Sequence, residues 1–212
     1  MHAALLCMAM MGADTMDPVA AALERYGEVK AYAVTLKSSA GGEHDVIRYA
    51  YQRPGHVRME FVAPHAGVVM IYDPQTAEVR LWPLGPGYFS LTFDPANRLI
   101  RSRTGQRIDR SDIGTLLRNV RSMQRSGQTT CVAEQINGRD ALHVAVEGEP
   151  DDSLGAIRRY ELWLDVANRM PLRVISRDRT GAVIEEVRFE ELRLDPELPA
   201  SLFSSRGDAL RR

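Results

Sequence analysis

Cysteine is nearly missing from this 212-residue chain, which has only Cys7 and Cys131. Two thiols exclude a disulfide scaffold and a Cys-rich zinc site. Cys131, inside a predicted strand, reads as a small buried apolar residue. Lysine is as scarce: Lys30 and Lys37 stand alone among 27 basic residues, the rest being arginine. That bias reads as genome composition. A formal net charge of −1 removes long-range steering by bulk charge. No apolar run reaches the roughly 20 residues that a bilayer-spanning helix needs.

Signatures of catalysis are missing as well. The chain has no Gly-x-Ser-x-Gly elbow, no Gly-x-Gly-x-x-Gly turn and no phosphate loop. His44, His56, His65 and His143 are scattered, with no His-x-x-x-His pair, which argues against a metal site. Asp109 and Asp112 bracket Arg110-Ser111 and suit a helix N-terminus better than acid–base work. The chain therefore reads as a non-enzyme, with no cofactor, no metal and no catalytic residues expected.

What is present reads as one globular domain. Apolar residues make up 44% and charged residues 26%, and an all-β barrel of this length often stays undivided. Ala3 to Met11 form a short apolar run, and Gly12-Ala13 supply small residues after it. Residues 1–13 thus read as the remnant of a signal peptide, and 14–212 as a single domain in an exported protein.

Asp17-Pro18 predicts a capped helix start, with Val19, Ala22, Leu23 and Tyr26 on one face. Strands are predicted near 31–38, 43–52, 57–63, 67–72 and 78–82. Their links are too short for crossover helices, so neighbours pair antiparallel. Ile113, Leu116, Leu117, Val120 and Met123 recur at helical spacing behind Ser111, a candidate cap. Strands resume at 128–136, 141–147, 158–166, 172–178 and 183–194, and Asn137-Gly138 predicts a two-residue hairpin. The total is about ten strands.

Alternation adds a constraint. A sheet with one wet face alternates apolar with polar residues. Val68, Val69, Met70, Ile71 and Tyr72 are all apolar, so both faces of that strand are expected to be covered, by helix or by a cavity. A second anomaly is charge. Arg98, Arg101, Arg103, Arg107, Arg110, Arg118, Arg121 and Arg125 share a window with only Asp109 and Asp112. The window reads as the solvated back of a helix, or as a contact for anionic lipid headgroups or an acidic partner. It holds no aromatic residue, so no nucleic acid is expected.

The ordered set of motifs resembles a known family. Gln52-Arg53-Pro54-Gly55-His56-Val57-Arg58-Met59-Glu60-Phe61, then Val69-Met70-Ile71-Tyr72-Asp73-Pro74, then Val79-Arg80-Leu81-Trp82, is similar to the periplasmic outer-membrane lipoprotein carrier and sorting family, the LolA-like proteins. Tyr160-Glu161-Leu162-Trp163-Leu164-Asp165 with Met170-Pro171-Leu172-Arg173 resembles its late hairpin, and Leu202-Phe203 its closing segment. The resemblance implies a mainly β fold, an unclosed antiparallel β-barrel of about 10–11 strands with a helical lid. It implies a monomer that carries the acyl chains of lipoproteins or lipids toward the outer membrane. An inner-membrane release complex and an outer-membrane acceptor are the partners it implies. A periplasmic lipid-sensing or protein-interaction domain on the same fold is the alternative.

Carriage requires a continuous apolar lining, because each buried methylene is worth roughly 0.8 kcal/mol. The candidate lining is Val57, Met59, Phe61, Met70, Tyr72, Leu81, Leu162 and Leu164, with Leu116, Leu117 and Val120 as the lid face. Val174 and Val187 are further candidates, and ordinary core packing is the plainer reading for each residue. The resemblance implies that Arg53 bonds to the lid and helps govern opening; the plainer alternative is that Arg53-Pro54-Gly55 makes a turn, with Gly55 supplying φ freedom.

Overall fold

The computed structural model describes residues 17–149 and 155–204; the proposed signal remnant lies outside them. Helix α1 (Pro18–Glu28) leads into strands β1 (Ala31–Ala40), β2 (Glu43–Gln52), β3 (His56–Ala63), β4 (Val69–Asp73), β5 (Glu78–Trp82) and β6 (Leu91–Phe93). Helix α2 (Ile113–Gln124) precedes β7 (Gln128–Ile136), β8 (Arg139–Glu147), β9 (Arg159–Asp165), β10 (Pro171–Arg177) and β11 (Val183–Leu194). The eleven strands form one unclosed antiparallel sheet with β6 and β7 at its ends, the fold that the resemblance implies. Among the described residues no helix is long and apolar enough to cross a membrane.

The described residues divide into two compact units. The larger holds 29–115 and 184–204, with strand order β6-β5-β4-β3-β2-β1-β11. The smaller holds 17–28, 116–149 and 155–183, with order β10-β9-β8-β7.

In the smaller unit, α1 begins as its sequence predicts. Asp17 Oδ1 accepts the amides of Val19 at 2.8 Å and Ala20 at 3.1 Å, which satisfies two orphan donors of the first turn. Asp17 Oδ2 also receives Arg121 Nη1 at 2.9 Å and Gln124 Nε2 at 3.0 Å, so the cap ties α1 to the second half of α2. Val19, Ala22 and Tyr26 are buried, and α1 packs on β8. A Cβ on Gly127 would lie 2.2 Å from the Glu147 carbonyl oxygen, so only glycine fits where the chain leaves α2. Asn137 and Gly138 take φ of 52° and 75° between the paired ends Ile136 and Arg139, the hairpin turn their sequence predicts.

Four local readings are corrected. The cap of α2 is Asp112, whose Oδ1 accepts the Thr115 amide at 3.0 Å; Ser111 Oγ donates to the Ile108 carbonyl instead. Gly55 takes no positive φ; the Gln52–Gly55 turn, which contains a cis Arg53-Pro54 peptide, is closed by the Gly55 amide on the Gln52 carbonyl at 3.1 Å. Cys131 is half-buried, not buried. An additional strand, β6, escapes the sequence pattern because it is only three residues long.

Candidate functional site

Register in the larger unit sorts the predicted lining onto one face. Tyr32 pairs with Tyr51, Tyr51 with Val57, Val57 with Tyr72, and Tyr72 with Val79. The next row runs Val34, Tyr49, Met59, Met70, Leu81 and Leu91. Phe61 joins a third row through Ile47. Six of the expected residues, Val57, Met59, Phe61, Met70, Tyr72 and Leu81, therefore share this tyrosine face.

The middle row is buried at its β1 end and exposed at its β6 end, with half-buried residues between. Tyr49 is 1% exposed, Met70 7% and Leu91 43%, and Met59 and Leu81 are half-buried. The row is closed toward β1 and opens toward the β6 edge. Two methionines stand side by side in the row, Met59 half-buried and Met70 buried, and their flexible thioether chains can repack.

The segment before α2 covers the closed end. Tyr32 stacks on Tyr49 at 5.7 Å and on Tyr51 at 5.2 Å between ring centroids. The Tyr32 hydroxyl oxygen accepts the buried Ile113 amide at 3.1 Å, and the Tyr49 hydroxyl lies 3.0 Å from Ser111 Oγ. Burial pushes the Tyr49 pKa far up, so it stays a neutral hydrogen-bonding group at any physiological pH. Burial, then the charge of Asp109, also raises that of Tyr72. The tyrosines thus hold the first turn of α2 and the approach to it against the face.

Arg53 lies at the β2–β3 turn, exposed. Its Nε donates to the Val29 carbonyl at 2.7 Å, and its amide to the Lys30 carbonyl at 2.9 Å, so it grips the link between α1 and β1. Arg53 also lines an open cleft of about 350 Å³ with Gln52, His56, Leu198, Phe203 and Ser204. None of the other predicted residues lines that cleft.

The opposite face of the larger unit holds what the sequence reading missed. Arg58 is 0% exposed and Glu60 8%. Arg58 Nη2 lies 2.6 Å from Glu60 Oε1, and Arg58 Nη1 donates to the Leu202 carbonyl at 2.8 Å. Around this pair the segment 198–204 closes the face. Leu198, Leu202 and Phe203 pack with Ala33 and Ala50, and Phe203 also packs with Val69, Ile71 and Trp82. This arrangement accounts for the fully apolar strand at 68–72: Met70 and Tyr72 point one way, Val69 and Ile71 the other.

In the smaller unit, Leu162 and Leu164 are 0% and 2% exposed and share a face with their partners Val144 and Leu142. Leu117 and Val120 are fully buried and Leu116 half-buried. The other face of β9 carries a polar ladder that the sequence did not flag. His143 stacks on Trp163 with centroids 4.2 Å apart, and Arg173 lies 4.8 Å over the same indole. Glu134 accepts from Trp163 Nε1 at 2.8 Å and pairs with His143 Nδ1 at 3.0 Å. Trp163 first, then His143, hold the Glu134 pKa below the carboxylate norm. Among the described residues no cluster of His, Cys, Asp or Glu is arranged to hold a metal ion.

No curated protein matches the chain. An uncharacterized conserved protein from Thermus thermophilus is similar in structure, with a TM-score of 0.56, 12% identity, and coverage of 88% of this chain and 93% of that one. Pseudomonas aeruginosa MucB, solved as a MucA/MucB complex, gives a TM-score of 0.50 at 15% identity, covering 87% of this chain and 60% of that one. This chain thus spans about three fifths of that MucB chain. A putative outer membrane lipoprotein-sorting protein domain from Vibrio parahaemolyticus gives 0.44 at 15% identity, covering 87% and 95%. The model of the MucB/RseB N-terminal domain matches residues 94–206, just over half of the sequence, and the chain belongs to that family.

Proposed function

We propose that this protein is a periplasmic binding protein that takes an acyl chain of a lipoprotein or lipid against the tyrosine face of its larger unit. The observation that carries this reading is the row Tyr49–Met59–Met70–Leu81–Leu91, apolar but for the Tyr49 hydroxyl, buried at Tyr49 and Met70, half-buried at Met59 and Leu81 and exposed at its β6 end. Such a row can extend its own apolar burial along a chain without any bond being made or broken. At roughly 25 cal/mol per Å² of apolar surface removed from water, a single acyl chain is enough for useful affinity.

Two uses of that site are open to it. As a carrier, the protein would move acylated cargo toward the outer membrane. As a sensor, it would report bound lipid to a protein partner. The family membership favours the second use, since MucB has been solved with MucA bound. Purification from the periplasm, followed by mass spectrometry of co-extracted lipid, tests both. Bound acylated peptide supports carriage. Bound lipid together with a stable protein partner supports sensing. Recovery free of lipid, with no binding of a fluorescent fatty acid in solution, removes the acyl site altogether.

A further inference from the structure

We propose that the excursion joining β5 to α2 docks this protein on the surface of an anionic bilayer. Tyr88, Phe89 and Leu99 enter the interface, and Arg98, Arg101 and Arg110 meet the lipid phosphates. The proposal goes beyond acyl-chain binding and does not depend on it.

Apolar exposure is concentrated in this excursion. Nine large hydrophobic residues are exposed among the described residues. Five of them lie between positions 84 and 99: Leu84 at 62%, Tyr88 at 67%, Phe89 at 59%, Leu91 at 43% and Leu99 at 83%. Singly exposed apolar side chains are ordinary, but a run of them marks a contact surface. The adjacent aromatics Tyr88 and Phe89 include a tyrosine, whose ring and hydroxyl suit the boundary between headgroups and acyl chains.

The charge of the same segment has the matching sign. Five arginines stand against Asp94 and Asp109 between positions 83 and 110, in a chain whose net charge is −1. Arg103 is taken by Glu43 and Asp45, and Arg107 by Asp109. Arg101 Nη2 donates to the Ala96 carbonyl at 2.8 Å, which leaves its charge uncompensated. Among the described residues, Arg98, Arg101 and Arg110 have no carboxylate partner, and all three are exposed. Arg98 and Arg101 flank Leu99, an apolar tip between two cations whose long stems can follow it while their heads stay at phosphate level. A bilayer needs no preformed groove to receive such tips. Its negative surface attracts each arginine by about fivefold in affinity.

The test is co-sedimentation of the full chain with vesicles. Binding to phosphatidylglycerol-containing vesicles is expected to weaken as salt rises, with little binding to pure phosphatidylcholine. The double variant R98E/R110E is expected to bind anionic vesicles about thirtyfold more weakly or worse. Y88S/F89S, and L99S alone, should each bind more weakly at every salt concentration. All of these residues are exposed, so melting temperature and solution binding of a fluorescent fatty acid should stay at wild-type values. No wild-type binding to anionic vesicles, equal binding to neutral ones, or variants that bind as wild type would each overturn the proposal. So would recovery of this segment on a protein partner in the absence of vesicle binding.

Discussion

Arg58 and Glu60, two residues apart on β3, form an ion pair inside the protein, with Nη2 of the arginine 2.6 Å from the carboxylate. The same guanidinium reaches the Leu202 carbonyl at 2.8 Å, so one buried cation joins the sheet to the segment that covers it. A buried pair adds little net stability, but removing one partner strands the other charge away from water. Glu60→Gln is expected to cost about 3–5 kcal/mol, read by chemical denaturation. Converting Arg58 to Met and Glu60 to Leu together should cost far less than the single change. A near-silent Glu60→Gln would show that the pair is not what pins residues 198–204.

Tyr32 controls the other face. Its hydroxyl oxygen accepts the buried Ile113 amide, and Tyr32→Phe leaves that amide without its partner. The expected loss is about 1–3 kcal/mol in stability. A faster release of bound fatty-acid probe should accompany it, since the start of α2 is then less firmly seated. Unchanged probe kinetics in a destabilised variant would separate the tyrosine's packing role from any part in cargo retention.

Arg53 tests the resemblance most directly. It grips the Val29 carbonyl from an exposed position, so Arg53→Leu should fold and melt close to wild type. If it gates opening, the variant retains cargo differently from wild type in a probe-release assay. Wild-type loading and release would end the gating role and leave Arg53 as a tie between the β2–β3 turn and the start of β1.

Acid stability should depend on Glu161. Burial works against its charge, but Arg177, whose Nε lies 2.6 Å away, outweighs burial, with Arg159 and His143 adding to the effect. The carboxyl is therefore held below its ordinary value. A depressed carboxylate stabilises the fold above its unfolded pKa, roughly 4.3 for Glu, and that stability is lost as pH falls through the folded value. Wild type should lose stability below about pH 4, and Glu161→Gln should flatten this acid limb while lowering stability at neutral pH. Parallel acid limbs in both proteins would assign the loss to other carboxylates.

Most of the fold is readable from local chemistry. Asn137-Gly138, the Asp17 cap and the short links between strands each carry their own structural instruction, and each is present as expected. That Val57, Met59, Phe61, Met70, Tyr72 and Leu81 share a face is readable too, because alternation fixes it once strand neighbours are known. The opposite face is not, because Arg58 and Glu60 look like an ordinary wet edge of an amphipathic strand. Only the unbroken apolar run at 68–72 hints that this side is covered. What covers it lies some 130 residues further along, beyond the reach of any periodicity. The polar ladder of His143, Trp163 and Arg173 is hidden for the same reason: its members meet across three strands. The displaced cap of α2 shows a smaller limit, since Ser111 and Asp112 are both good caps, and a local bond to Ile108 together with a tertiary one to Tyr49 draws Ser111 away.

The larger unit is assembled from two distant stretches of chain, with β1 paired to β11 and Asp195 Oδ1 accepting the Lys30 amide at 2.7 Å across 165 residues. A nascent polypeptide emerging from its amino end therefore lacks the cover of Val69, Ile71 and Trp82 until Phe203 arrives. Loop closure over such a separation is slow, and greasy surface left open in the meantime invites aggregation. The smaller unit, whose strands β7 to β10 are all made before that moment, has time to settle first. Strand order thus sets how long that surface stays open while the chain is made.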